Sequence, residues 1–274
     1  MLYRQKIWKQ RKTKNVRVKE SMEFIDIRIL PITKKQKNMS RKDKKKESAP
    51  KQKKLNTKRS KEWHLRLIHC NFDNSDYVIH STFSNKERPI TKEEVEKEFK
   101  NYILRINRYR KKIGLENAKY IAVIEGGDGT KKNVHFHIII DGDLGREILE
   151  DLWKGKGYIN VDRLQMNEEG LVRLVNYMAK GLEDEEEIER TKEFKGVRTW
   201  RSSKGNLDRP DISVNDHAFS GRKVMNMVAK HPSKEEFEKM YPGYTLTNYN
   251  IVYNEEYCQA FIDIKMRRYI KNKT

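Results

Sequence analysis

The chain has 274 residues, of which 36% are charged, with a formal net charge of +20 and a mean hydropathy of −0.97. This length is enough for one sizeable core with extensions, and the composition keeps much of the chain in contact with water. No apolar run approaches the roughly 18 residues of a membrane-spanning helix, and no signal peptide is recognisable. The two cysteines, Cys70 and Cys258, provide neither a disulfide framework nor a metal-binding spacing. These features favour a cytoplasmic protein without membrane association.

Positive charge is concentrated near the N-terminus. Residues 1–60 contain 22 Lys or Arg and 5 Asp or Glu, whereas the remaining residues contain 38 and 35. We therefore predict a basic N-terminal arm over 1–60 that is largely disordered and binds DNA phosphates. A tail that only increases solubility is the alternative. Within the arm, Met22–Leu30 alternates apolar and polar side chains as a short strand does.

The chain after the arm predicts a helix, a strand and a second helix. Lys61–Ile68 is amphipathic, and Tyr77–Phe83 has the composition of a core strand. Thr91–Glu94 is a capping box that begins a helix extending to about Gly114. His80, within the strand, is a candidate additional metal ligand. A histidine in such a position is more often an ordinary hydrogen-bonded residue.

Two strands joined by a glycine-rich turn are predicted between residues 120 and 140. Because side chains alternate between the faces of a strand, His135 and His137 share one face and Phe136 points to the other. Folding the hairpin at 126–133 brings Glu125 close to His135. Two imidazoles and a carboxylate suit a divalent ion with open coordination positions. The alternative is an ordinary strand with two polar positions and a surface carboxylate at its end.

A short amphipathic helix is predicted at 171–180. Its apolar stripe consists of Leu171, Leu174, Val175 and Met178. Arg173, Tyr177 and Lys180 fall on a neighbouring polar face. A tyrosine that faces a metal site one turn from a lysine is a candidate nucleophile toward a phosphodiester. A phenol, whose ordinary pKa is about 10, needs a nearby cation or an activated phosphorus to react. Otherwise Tyr177 is a packed core tyrosine.

The order of elements indicates the fold class. A further helix is predicted at about 144–154, with strands at 157–164 and 196–203. The order strand-helix-strand-strand-helix-strand, with an antiparallel hairpin in the middle, indicates an α+β fold with helices packed on one face of an antiparallel sheet. This domain spans 61–212. Residues 213–274 predict two helices and a strand pair, which we interpret as a C-terminal accessory extension.

The motif His-hydrophobic-His, followed by Tyr-x-x-Lys, resembles the HUH endonuclease superfamily, specifically the single-tyrosine rolling-circle replication initiators of bacterial plasmids and phages. The resemblance covers roughly residues 40–212. Other stretches similar to that branch are Asn71-Phe72, Asp76–Phe83, Trp153, Gly157–Val161, and Trp200–Ser203 with Asn206 and Pro210. In conjugative relaxases the tyrosine precedes the histidine pair, whereas here it follows, and Lys180 is typical of the replication group.

The resemblance implies an RRM-like HUH core with its metal site on the open face of the sheet. It implies that His135, His137 and Glu125 hold Mg²⁺ or Mn²⁺, and that Tyr177, assisted by Lys180, becomes joined to the 5′ phosphate of a nicked strand. The implied substrate is single-stranded or hairpin-extruded origin DNA. We expect four basic residues to line its path, namely Arg173, Arg198, Arg201 and Lys204. No Walker A sequence is present, so we expect a host helicase and a DNA polymerase as partners.

Two other classes of protein remain alternatives. The first is a non-catalytic RRM-like nucleic-acid-binding protein in which the two histidines are incidental. The sheet lacks the pattern of stacking aromatic residues typical of such modules. The second is a metal-dependent hydrolase, which would leave its product unattached to protein.

Overall fold

The computed structural model describes residues 2–10, 20–32, 50–126, 133–179 and 200–271. The chain divides into two compact units. The first, the histidine unit, comprises Thr57–Asn167 and Leu171–Leu207 and contains all the predicted site residues. The second, the terminal unit, comprises Met1–Asn56, Glu168–Gly170 and Asp208–Thr274. None of the helices in the described ranges combines the length and the apolar character needed to cross a bilayer.

The histidine unit is built on a five-stranded antiparallel sheet. Its strands are β3 (Tyr77–Thr82), β4 (Tyr120–Glu125), β5 (His135–Ile140), β6 (Ile159–Arg163) and β7 (Trp200–Ser202). They lie in the order β6-β3-β5-β4-β7. The helices are α1 (Pro50–Asn71), which begins within the terminal unit, α2 (Lys92–Lys112), α3 (Arg146–Asp151) and α4 (Val172–Met178). The sequence predicts these elements, and the α+β class is confirmed. Helix α1 nevertheless begins at Pro50 instead of Lys61, within the arm that was expected to be largely disordered.

Helices pack on both faces of this sheet. One core cluster joins sheet residues such as Phe136 and Ile138 to the buried side chains of α2 and α3. A second cluster joins Val123 and Ile139 to the buried side chains of α1 and α4. Consecutive buried residues at the centre of β5 require cover on both sides, because a strand alternates its side chains between the faces. The predicted layer of helices on one face is therefore accompanied by a second layer on the other.

The capping box predicted for α2 is present. The Thr91 hydroxyl accepts a hydrogen bond from the Glu94 backbone N–H at 3.2 Å, and the Glu94 carboxylate accepts one from the Thr91 N–H at 3.1 Å. This pair satisfies two N–H groups that have no partner within the helix. The predicted buried stripe is also observed, and it packs α2 against the sheet face opposite the histidines: Val95, Phe99, Tyr102, Ile103 and Ile106.

The terminal unit contains a second five-stranded sheet, formed from both ends of the chain. Its strands are β1 (Leu2–Gln10), β2 (Glu20–Ile32), β8 (Asp211–Asn215), β9 (Thr245–Asn254) and β10 (Gln259–Lys271). They lie antiparallel in the order β8-β1-β2-β10-β9. The helices of this unit are α5 (Gly221–Lys230) and α6 (Lys234–Met240).

The core of the terminal unit corrects two expectations from the sequence. Ile27 of β2 lies opposite Ile7 of β1 and Ile264 of β10, and all three belong to one apolar cluster. Residues 2–10 and 20–32 are therefore ordered strands rather than parts of a largely disordered arm, while 11–19 and 33–49 lie outside the described residues. Residues 213–274 share a sheet with the start of the chain and do not form a separate extension. The strand predicted at Met22–Leu30 from its alternating side chains lies within β2 and is confirmed.

A partly buried histidine in α1 predicts a pH-dependent stability. The His64 ring stacks on Trp200 with ring centroids 4.4 Å apart, and its Nδ1–H donates to the Ser60 carbonyl oxygen at 2.7 Å. Burial lowers the pKa of His64 below its ordinary value of 6.5, although the bond to Ser60 opposes this effect. The unfolded state therefore binds a proton more readily than the folded state does. We expect the free energy of unfolding to fall as the pH is lowered through about 6.5.

Urea denaturation at several pH values between 7.5 and 5.5 measures this effect. In His64→Phe the stacked ring is kept but no proton can bind, so the free energy of unfolding should depend less steeply on pH than in the wild type. Equal slopes in the two proteins would contradict the assignment. Both proteins keep His80 and His135, so the difference between the slopes isolates His64.

Candidate active site

The β4–β5 hairpin puts the three predicted metal ligands on one face. Glu125 lies directly opposite His135, and Val123 lies opposite His137. Directly opposite residues in an antiparallel pair point to the same side, so Glu125, His135 and His137 share a face. Phe136, between the two histidines, is fully buried in the core on the other side. The hairpin is thereby anchored by one face while the other carries the polar side chains.

His80 enters the same site from the neighbouring strand β3. It lies directly opposite His137, and the Nδ1 atoms of the two rings are 2.8 Å apart. The sequence places His80 on one face with Thr82, but no local pattern reveals the pairing of β3 with β5. An ordinary hydrogen-bonded histidine is the more frequent case in a strand, so the predicted ligand set omits His80. The sequence therefore names His80 as a candidate but does not place it beside His137.

Helix α4 brings Tyr177 to the two histidines. Leu171, Val175 and Met178 are buried against the sheet, which fixes the rotation of the helix. Tyr177 lies beside this stripe and remains 58% exposed. Its ring centroid is 5.5 Å from that of His137, in an edge-to-face arrangement with an interplanar angle of 85°. The corresponding distance to His80 is 5.9 Å. The predicted meeting of the tyrosine with the histidine face is therefore observed.

The three predicted ligands are close to one another, but their side chains are not arranged as a complete coordination site. His137 Nε2 is 3.6 Å from Glu125 Oε2. Two atoms that each bind one ion at about 2.1 Å are separated by about 3.0 to 3.6 Å, so this pair fits a shared ion. The His135 ring centroid is 6.3 Å from that of His137. Within the part of the chain that the structure describes, no group of three or more His, Cys, Asp or Glu side chains is assembled as a metal site.

The electrostatics of the site favour neutral imidazoles. Burial lowers the pKa of His80 below 6.5, and His137 lowers it further, against a smaller opposite effect of Asp162. Burial and His137 likewise lower the pKa of His135, although Glu125 acts to raise it. Both rings therefore stay unprotonated to a lower pH than an ordinary histidine. A neutral imidazole is the form that binds a metal ion.

The predicted DNA-contacting residues are not all near this face. Arg201 lies opposite Ala122 in the sheet, and its guanidinium forms an ion pair with Glu96 of α2, on the side away from the histidines. This position corrects the expectation that Arg201 lines a DNA path at the site, because alternation along β7 turns Trp200 and Arg201 to opposite faces. Arg173 is exposed, one turn before Tyr177 on α4, and Lys204 is exposed just beyond β7. Lys180 and Arg198 lie outside the described residues.

Comparison with known proteins identifies the part of the chain that carries this site. Residues 76–186 match the family model described as replication-associated protein ORF2/gene II protein. This segment is therefore similar to that family. The match covers about two fifths of the 274 residues and includes the strands β3 to β6 as well as α4. The replication-associated family supports a role in the initiation of DNA replication. No curated protein and no solved structure matches the chain at a significant level.

Proposed function

We propose that this chain is a replication initiator that nicks and rejoins single-stranded origin DNA through a covalent 5′-phosphotyrosine intermediate on Tyr177. The observation that carries the proposal is the edge contact between the exposed Tyr177 ring and the buried His137 ring. A nucleophile and a candidate ligand set thus meet on one side of one sheet. The family match supports the same kind of role, because a replication initiator must expose a 3′ end at the origin.

The proposed chemistry balances without an external energy source. The Tyr177 Oη forms a bond to phosphorus as the bond from phosphorus to the 3′ oxygen breaks. The phenol loses one proton and the departing 3′ oxygen gains one, so a diester and a hydroxyl become another diester and another hydroxyl. The free 3′-OH serves as a primer for a polymerase. Attack by a 3′-OH on the phosphotyrosine reverses the reaction and rejoins DNA without ATP.

Tyr177 has the exposure that such a nucleophile needs. Its phenol is on the accessible side of α4, while Val175 and Met178 hold the helix against the sheet. A rigid element therefore presents the reactive group, which keeps its position relative to the histidines defined. Lys180 follows one turn later in the sequence, and we propose that its ammonium group stabilises the phenolate or the phosphate.

We further propose that Glu125, His135 and His137 hold Mg²⁺ or Mn²⁺. The donor set, with two imidazoles and a carboxylate, suits such an ion, and the 3.6 Å separation of His137 Nε2 from Glu125 Oε2 is compatible with joint coordination. When bound, the ion would offset the charge that develops on the phosphate oxygens during attack. The lowered pKa of His135 favours its neutral form, whose lone pair is available to an ion.

The substrate and partners follow from the same chemistry. The scissile phosphate has to reach both the phenol and the histidine face, which a single strand or an extruded hairpin allows more easily than a continuous duplex. The chain has no Walker A sequence with which to couple ATP hydrolysis to strand separation. We therefore propose a host helicase and a host DNA polymerase as partners after the nick.

A covalent-adduct assay tests the proposed function. Labelled single-stranded oligonucleotides that cover inverted repeats beside the gene are incubated with the full chain and Mn²⁺, then separated under denaturing conditions. We expect a labelled band that migrates with the protein and is lost when EDTA is added before the DNA. Binding without an adduct would support a non-catalytic nucleic-acid-binding protein instead. Cleavage without an adduct would support a hydrolase.

The basic stretch around residues 44–46 predicts salt-dependent DNA binding. For single strands, each phosphate that a basic side chain neutralises adds about 0.7 to the slope of log affinity against log salt. Replacing Lys44, Lys45 and Lys46 with Gln should therefore lower the slope by about 2 if all three contact phosphates. The matched control replaces three exposed lysines of α2 with Gln, namely Lys97, Lys100 and Lys111. The helix α2 packs on the sheet face opposite the histidines. A slope that is unchanged in the first variant would show that this stretch does not contact DNA.

A further inference from the structure

The contact between His80 and His137 restricts how both rings are protonated. Their Nδ1 atoms are 2.8 Å apart, which is hydrogen-bond distance. A neutral imidazole carries one N–H and one lone pair, so a bond between two neutral rings requires that one Nδ1 donates and the other accepts. The pair therefore has two arrangements, which differ in the ring that carries the shared proton.

Only one arrangement leaves His137 able to bind an ion at its other nitrogen. If the His137 Nδ1 accepts, its Nε2 carries a hydrogen and points an N–H toward Glu125. If the His137 Nδ1 donates, its Nε2 has a lone pair on the side of the Glu125 carboxylate. The 3.6 Å between His137 Nε2 and Glu125 Oε2 is longer than a normal N–H···O hydrogen bond, so the first arrangement gains little from Glu125.

We propose that His80 is a positioning residue that accepts a hydrogen bond from the His137 Nδ1–H and thereby directs the His137 Nε2 lone pair toward the ion site. The inference rests on the proposed function, since it concerns the same ion. The strand β3 thereby contributes to the site, because its His80 lies directly opposite the proposed ligand His137 on the neighbouring strand β5. Groups that orient a metal-binding histidine through its second nitrogen typically change metal affinity by about 10- to 100-fold when they are removed.

The position of His80 argues against a direct ligand role through the same nitrogen. If its Nδ1 accepts from His137, the neutral ring carries its hydrogen at Nε2, so neither nitrogen has a free lone pair for an ion. The His80 ring also faces the Tyr177 ring, with centroids 5.9 Å apart and an interplanar angle of 72°. His80 thus contacts both the ring of the ligand His137 and the ring of Tyr177.

Two substitutions at position 80 separate positioning from packing. In His80→Asn, the side-chain amide oxygen stands where Nδ1 stood and can accept from the His137 N–H. In His80→Phe, the ring is kept and the acceptor is removed. The Kd of the full chain for Mn²⁺ is measured without DNA by electron paramagnetic resonance. We expect His80→Phe to bind Mn²⁺ about 10- to 100-fold more weakly and His80→Asn to stay within a few-fold of the wild type. An unchanged Kd in His80→Phe, or an equal loss in both variants, would overturn the proposal.

A measurement on the wild-type protein keeps the test independent of folding in the variants. Nitrogen NMR of histidine-labelled, metal-free protein distinguishes the protonated from the unprotonated nitrogen of each ring. We expect His137 to be protonated at Nδ1 and His80 at Nε2; the reverse pattern would overturn the inference. If the wild type binds Mn²⁺ with the expected tautomers but forms no DNA adduct, the proposed function fails and the positioning role stands. If an adduct forms and the tautomers are reversed, only the positioning role fails.

Discussion

Replacing Tyr177 with Phe should abolish the covalent protein–DNA adduct. The substitution removes only the hydroxyl oxygen that forms the bond to phosphorus, and it keeps the ring that contacts His137 with centroids 5.5 Å apart. Because the side chain is 58% exposed, loss of the hydroxyl leaves no buried polar group without a partner. We expect adduct formation to fall at least about a thousandfold, as happens when a covalent nucleophile is removed, with DNA affinity unchanged within a few-fold.

The control for this experiment is another exposed tyrosine of the same unit. Tyr158, just before β6, is 68% exposed and should form the adduct at the wild-type rate when replaced with Phe. Mass spectrometry of the digested adduct should locate the nucleotide on the peptide that contains Tyr177. An adduct of normal yield in Tyr177→Phe, or a nucleotide on another residue, would show that α4 does not carry the nucleophile.

The parts of the site that the sequence predicts are those set by local geometry. Alternation along β5 put His135 and His137 on one face, and the register of the hairpin put Glu125 opposite His135. The apolar stripe of α4 fixed which side of the helix faces the sheet, and Tyr177 lies beside that stripe. Each of these inferences spans fewer than about fifteen residues, over which backbone geometry restricts the choices. The capping box of α2 belongs to the same class.

The parts that the sequence did not predict depend on pairing between distant segments. β1 pairs with β8 and β2 pairs with β10, across more than 200 residues. These strands are not joined to their partners by a turn, so no local sequence pattern indicates the pairing. The same limit applies to His80, since the alternation of β3 is evident but its antiparallel partner is not. The prediction for Arg201 failed for a different reason. The face of the sheet to which Arg201 points depends on the register of β7, and a strand of only three residues has too short a pattern to fix that register.

Charge also concealed the terminal unit. Residues 1–60 contain 22 Lys or Arg, so their average composition is typical of a disordered tail. Every second side chain of β2 is nevertheless buried from Ile25 to Ile29. A strand needs only one apolar face, and Arg28, on the other face, forms an ion pair with Asp263 of β10. The average composition of such a segment therefore reflects its exposed face, whereas the alternation of apolar residues along the strand reveals its buried face.

Replacing Trp153 with Ala should destabilise the histidine unit by about 3 to 5 kcal/mol, the usual cost of removing a fully buried large aromatic side chain. Trp153 is 0% exposed, and its ring contacts the rings of Phe83, Tyr102 and Phe136 at centroid distances of 5.0 to 5.7 Å. These are edge-to-face contacts, which add to the effect of burial. Urea denaturation followed by circular dichroism measures the change in the free energy of unfolding.

The matched control is Trp153→Phe, which keeps an aromatic ring in the same cluster. The indole Nε1 forms no hydrogen bond with any described residue, so its loss leaves no acceptor without a partner, and the cost should be less than half that of Trp153→Ala. Phe136 lies between His135 and His137 in β5, on the opposite face. A cavity beneath Phe136 therefore loosens the strand that carries both ligands, and Mn²⁺ should bind more weakly to Trp153→Ala than to Trp153→Phe. Equal stability of the two variants would show that the aromatic cluster does not support the hairpin.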